Sequence, residues 1–285
     1  MMSHRPLFLL AAVSVLLFAC SSSTTTSETT PIVDARNSFA SSDFSAALRN
    51  LDKAIKTAPD DATREQAIVL RTVLVTALAD ANKQMAEAYY IGAKQPVAQS
   101  HSGPFYEKRS DYYKTAQGYL MDAMQSVMDQ RAKLTNTPMV VEVSFPGFTG
   151  NNPGLVKIKN GQLVSDAEGL GSELQADRNA FAIVLSEIAG AGQDPNKGQQ
   201  LYTSGKVTVD PRVYIIELSN SFLQSGAMFE YRGLNAPDRL ATVNQVVRAN
   251  LDIAQKLLDA KPDKELEARL KTLQLDCTKA LSAKK

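Results

Sequence analysis

The chain has no tryptophan, two cysteines and two histidines among 285 residues. Two thiols and two imidazoles are too few for a disulfide scaffold or a His/Cys zinc cluster, so neither a structural metal nor a metal cofactor is expected. A charge excess is also lacking, since 31 Lys and Arg stand against 30 Asp and Glu. Arg5 is the only charged residue before position 20, so the rest of the chain carries 30 charges of each sign. With no basic surplus to hold a phosphate backbone, nucleic acid is not expected as a partner. What remains is ordinary globular composition, 44% hydrophobic and 21% charged, unlike that of a disordered chain.

Arg5 precedes a 13-residue apolar stretch, Leu7 to Ala19, broken only by Ser14. A membrane span needs roughly 20 apolar residues, so this stretch reads as a secretory leader. It ends in Leu17-Phe18-Ala19-Cys20. These residues resemble the Leu-x-(Ala/Gly)-Cys box of bacterial lipoprotein precursors, which are cut before a cysteine that then carries lipid. The resemblance implies a signal peptide over 1–19 and lipidation, palmitate included, at Cys20. The alternative is an ordinary signal peptide with an unmodified Cys20. Ser21 resembles the family's default signal for the outer membrane, which implies a periplasm-facing anchor in a host with two membranes. Residues 21–30 are Ser, Thr and one Glu, with no apolar side chain to drive ordering. A tether over 20–31 is expected, its ten flexible residues reaching on the order of 17–19 Å. With Cys20 lipidated, Cys277 is the remaining thiol. It shares a helical face with Leu266, Leu270, Leu273 and Ala280, the place of a small buried hydrophobe.

Helical periodicity dominates residues 32–285. Asp43 caps a helix ended by Ala58-Pro59, and Asp60 and Asp61 open a long one running to Gly92. Its apolar stripe is wide enough to meet more than one neighbour. A second long helix is expected from about Phe105 to Leu134. The pattern then changes. Residues 138–164 read as a small β insert, with strand-like Val140 to Phe145 and a hairpin turning at Asn160-Gly161. Helices resume at Ser165. Gly190 to Gly205 reads as a polar loop. Asp210-Pro211 starts another helix, in which Gly226 and Ala227 allow close contact, and Pro237–Ala260 and Asp263 to about Leu281 form a final pair.

Around 35–59, Ala35, Phe39, Asp43-Phe44, Ala47, Leu51, Ala54 and Pro59 fall where a tetratricopeptide (TPR) repeat places its small, aromatic and closing residues. Ser42 stands where that repeat usually has glycine. The resemblance implies a mainly α fold of TPR-like stacked antiparallel helix pairs with a small β-hairpin insert. The long pair 60–93 and 105–134, with Tyr112-Tyr113-Lys114-Thr115-Ala116, is similar to the T-component of TRAP transporters, a lipoprotein of TPR-like helices. That likeness implies a transport accessory working with a solute-binding protein.

Motifs for chemistry fail on their own terms. Gly190 to Gly198 lacks the Gly-Lys-Ser/Thr ending of a phosphate loop. Gly169-Leu170-Gly171 lacks the third glycine and the βαβ setting of a dinucleotide site. A Ser–His hydrolase would have only His101, in a Gly/Pro/Ser loop. No catalytic residue and no cofactor is expected, with an envelope hydrolase as the remote alternative. The candidates for partner or ligand binding are Tyr89, Tyr90, Tyr106, Tyr112 and Tyr113, with Met121, Met124, Met128 and loop residue Phe148, because Tyr and Met suit adaptable contacts. Hydrophobic core is the plainer role for the same set. The expected function is a non-catalytic, lipid-anchored envelope scaffold that binds another envelope protein. The alternative is a solute-binding or transport-accessory lipoprotein of the TRAP T-component type.

Overall fold

Aspartates set where most helices begin. The structure is a computed structural model describing residues 30–94, 102–147, 158–159, 162–163, 167–203, 205–231 and 236–282. Asp43, Asp60, Asp194 and Asp210 each accept a hydrogen bond from a backbone N–H of the first turn that follows. Asp263 does the same for Glu265 and Leu266. Each carboxylate fills an orphan donor and faces the positive end of the helix dipole. The helices so begun are α2 (Phe44–Thr57), α3 (Asp61–Ala93), α6 (Pro195–Leu201), α7 (Pro211–Gly226) and α9 (Lys264–Ser282). The others are α1 (Pro31–Ala40), α4 (Gly103–Arg131), α5 (Ala167–Ile188) and α8 (Pro237–Ala260), with a 3-10 turn at Ala227–Glu230.

The chain is mainly α with a small antiparallel sheet, as its periodicity predicts. Helix α3 is the axis of the packing. It touches α2, α4, α5, α7 and the first strand, because Thr72 to Ala79 are buried without interruption, on every face of the helix. The hydroxyls of Thr72 and Thr76 return to carbonyls one turn back, each at 2.8 Å, so burying them leaves no donor unmet. Between α1 and α2 the TPR-like spacing packs as expected, with Ala35, Phe39, Phe44, Ala47, Leu51 and Ala54 all buried. Ser42 takes φ 62 at the turn, the left-handed conformation for which glycine is the usual residue.

Four short strands are described: β1 (Met139–Glu142), β2 (Ile158–Lys159), β3 (Gln162–Leu163) and β4 (Lys206–Val209). The hairpin β2–β3 forms as the Asn-Gly turn predicts, its two turn residues lying outside the described set. Strand β1 does not join that hairpin. It pairs antiparallel with β4, Met139 opposite Val209 and Glu142 opposite Lys206. So the β segment is not self-contained, and Met139, Val141 and Val143 enter the helical core. The span read as a polar loop, 190–205, holds α6. Gly198 of α6 fits against α5 so closely that a Cβ there would lie 1.9 Å from the carbonyl oxygen of Ala182.

Among the described residues no helix is long and apolar enough to cross a membrane. The leader, Cys20, the tether through Thr29, His101 and Phe148 lie outside the described residues.

Candidate functional site

Helix α5 runs beside α3 and lays its first half against α4 and the α1–α2 turn. A cleft of about 250 Å3 opens where these elements meet. Its apolar lining comes from Phe44, Leu78, Ala81 and Met85, its rings from Tyr112 and Tyr119, and its charge from Asp43, Glu173 and Asp177. The two carboxylates stand four residues apart on α5, which puts them on one face about 5–6 Å apart at Cβ. Tyr112 donates its hydroxyl proton to Glu173 Oε1. No hydrogen bond or ion pair reaches Asp177 from the described residues.

The electrostatics follow from burial. Asp177 is pushed up to about 7, mainly by desolvation and further by the like charge of Glu173. Glu173 is itself raised by burial, with Lys108 pulling the other way. Tyr119 is raised by burial and by the negative charge of Asp177. No lysine or arginine lines the cleft among the described residues. Arg178 stands behind the lining, its Nε donating to cleft residue Ser42 Oγ at 2.8 Å.

The aromatic and methionine set divides. Tyr112 lines the cleft and stacks on Tyr89, centroids 5.3 Å apart. Tyr89 also meets Phe105 edge-on. Tyr113 is buried, donates to Glu87 and packs on Tyr231 at 4.8 Å. Arg109 lies over the rings of Tyr90 at 3.9 Å and Tyr231 at 4.4 Å, so Tyr90 belongs to a cation–π stack at the end of the α3–α4 hairpin. Met124 is core, Met121 packs against it, and Met128 is 38% exposed. Tyr106 is 40% exposed. The structure therefore brings Tyr89 and Tyr112 to one place and spreads the rest over core, stack and surface.

Glu173 and Asp177 were not read from the sequence as site residues, although a signal existed. Leu170, Leu174, Phe181, Val184 and Ile188 form a 3.6-period stripe, and Asp177 stands in it. A charge on a buried stripe is the mark that was there to find.

A more deeply buried carboxylate lies further along α5. Glu187 is 4% exposed and accepts hydrogen bonds from Gln193 Nε2 at 2.7 Å and Ser221 Oγ at 3.3 Å. Burial pushes it up to about 7 against the pull of those donors. It borders an enclosed polar space of about 40 Å3 beside Thr76, Asp80 and Ser225. It also borders an open groove of about 690 Å3 against α9, where Glu217 is already paired with Arg269 at 3.0 Å. Among the described residues, no three His, Cys, Asp or Glu are grouped to hold a metal ion. No family model, curated protein or solved structure gives a significant match to this chain.

Proposed function

We propose that this chain is a lipid-anchored envelope protein whose helical domain holds a small solute in the cleft between α3, α4 and α5, without catalysing a reaction on it. One observation carries the reading. Asp177 stands in a cleft with apolar and aromatic walls, has no partner in the described fold, and has its ionisation pushed into the neutral range. A half-buried carboxylate with no partner among the described residues, in a cleft lined by no cation, is the pattern of a site completed by a ligand. The anchor rests on Leu17-Phe18-Ala19-Cys20.

Native mass spectrometry of the full-length protein, released gently from its envelope, tests the solute. The expected result is a small-molecule adduct that is lost in Asp177→Asn. An adduct-free protein overturns the reading. For the anchor, Cys20→Ala is expected to leave the membrane fraction, and retention there overturns it.

A protein-binding scaffold is the second reading. Ile91 and Tyr106, 48% and 40% exposed, stand at the same end of the antiparallel α3–α4 hairpin. A stoichiometric protein partner whose cross-links map to that end favours it.

A further inference from the structure

We propose that the cleft takes a small primary ammonium ion with Asp177 as its counter-charge, an assignment that rests on the solute-binding reading.

Among the described residues the lining carries three carboxylates, Asp43, Glu173 and Asp177, and no lysine or arginine, beside neutral groups that can both donate and accept. Tyr112 has committed its hydroxyl proton to Glu173. Asn82 spends one amide N–H on the Leu78 carbonyl at 2.7 Å, which leaves Oδ1 and its second N–H open. Thr115 spends its hydroxyl proton on the Asp111 carbonyl at 3.0 Å, which leaves lone pairs. Asp177 offers only acceptors when ionised. The neutral groups can meet a donor or an acceptor, so the carboxylates set the sign of the ligand, and one that balances Asp177 must be positive.

The walls select the kind of cation. Phe44, Tyr112 and Tyr119 line the cleft with aromatic carbon, one face of Tyr112 being stacked on Tyr89, and such a surface favours an alkylammonium group over a hydrated metal ion. The absence of any three-residue ligating group among the described residues points the same way. A volume of about 250 Å3 suits a short alkylamine better than a peptide segment.

The charges facing Asp177 are few. Glu173 stands beside it on α5, Tyr112 and Tyr119 face it from α4, and Asp43 from the α1–α2 turn. Helix α3 contributes Leu78, Ala81, Asn82 and Met85, none of them titratable. Beyond the cleft wall, Lys108 acts on Glu173. Binding an ammonium ion must ionise Asp177, so it releases a proton when the free group is protonated.

Titration calorimetry on the full-length lipidated protein in detergent tests this with three probes of matched length: putrescine, 1,4-butanediol and succinate. The expected result is that putrescine binds and the neutral and anionic probes do not. Between pH 6 and 8 putrescine should tighten about tenfold, as Asp177 passes from mostly protonated to mostly ionised. Asp177→Asn should weaken it at least tenfold, and Glu173→Gln should weaken it less. The amide is nearly isosteric with the carboxyl, and a thermal melt of each variant verifies folding.

Succinate or butanediol binding in place of putrescine overturns the cationic assignment and leaves the solute reading standing. So does putrescine binding that is indifferent to Asp177→Asn, or that magnesium chloride displaces at equal concentration. If no probe binds while native mass spectrometry still finds an adduct, the ammonium assignment alone fails. If no adduct is found either, both readings fall together.

Discussion

Gly198 of α6 lies against the carbonyl of Ala182 on α5, and a Cβ at 198 would sit 1.9 Å from that oxygen. The obstacle is backbone, so no side-chain rotation relieves it. Gly198→Ala is expected to cost on the order of 2–4 kcal/mol, far above the ~1 kcal/mol that alanine gains in a helix. Exposed Gly118 on α4 has nothing within 4 Å of the equivalent position. Gly118→Ala should be neutral or stabilising by up to ~1 kcal/mol. Urea unfolding of the two variants side by side measures the contrast.

Stability should fall as pH rises across the neutral range. Asp177 and Glu187 hold their protons up to about 7 in the folded state and to about 4 when unfolded. A group raised on folding contributes stability that is complete below its unfolded value and lost as pH passes its folded one. Each group would then contribute a loss of up to about 2.6 kcal/mol between pH 5 and pH 8, and the domain should lose about 2–5 kcal/mol. Asp60, Glu142 and Asp210 are shifted the other way by hydrogen bonds and cations, so their contribution is lost on acidification, below this window. Asp177→Asn with Glu187→Gln should flatten the neutral slope. Thermal melts in matched buffers decide it, and an unchanged slope in the double variant refutes the assignment.

Neighbouring valines in β1 should respond very unequally to the same substitution. Val141 is fully buried, whereas Val140 is 50% exposed. Val141→Asp places an unpaired carboxylate in the core and should cost about 3–5 kcal/mol. Val140→Asp should cost less than about 1 kcal/mol. Circular dichroism melts of the pair also report whether β1 keeps this face toward the helices, because a one-residue slip would exchange the outcomes.

Cys277 should be inert while the protein is folded. It is 3% exposed, Sγ approaches the Asn244 carbonyl at 3.7 Å, and burial raises its thiol above the ordinary value. In a Cys20→Ala background a thiol reagent should label it at the rate of unfolding. Fast labelling of the native protein would contradict the burial.

Helix starts were legible because they depend on neighbours in sequence. Asp43, Asp60 and Asp210 announce α2, α3 and α7 through side chains that reach only two or three residues ahead. Asp194-Pro195 carries the same signal as Asp210-Pro211 and opens α6 in the same way, a local cue within the span 190–205. The β-branched run Val207-Thr208-Val209 was likewise present in the sequence. Its partner, β1, was not legible there, since pairing strands more than sixty residues apart requires the helices between them to be placed first.

The sequence by itself determined the helical periods, their caps, the hairpin turn and the apolar breadth of α3, all of which arise from residues within a few turns of one another. It also singled out Tyr112 through the clustering of tyrosines. Only the tertiary structure decided what faces Asp177. That carboxylate meets Tyr112 and Tyr119 of α4 and the α1–α2 turn in one cleft because α5 returns across α3. The return is a matter of packing between distant segments, and the free energy of an ionised group depends on the dielectric and charges that such packing assembles around it.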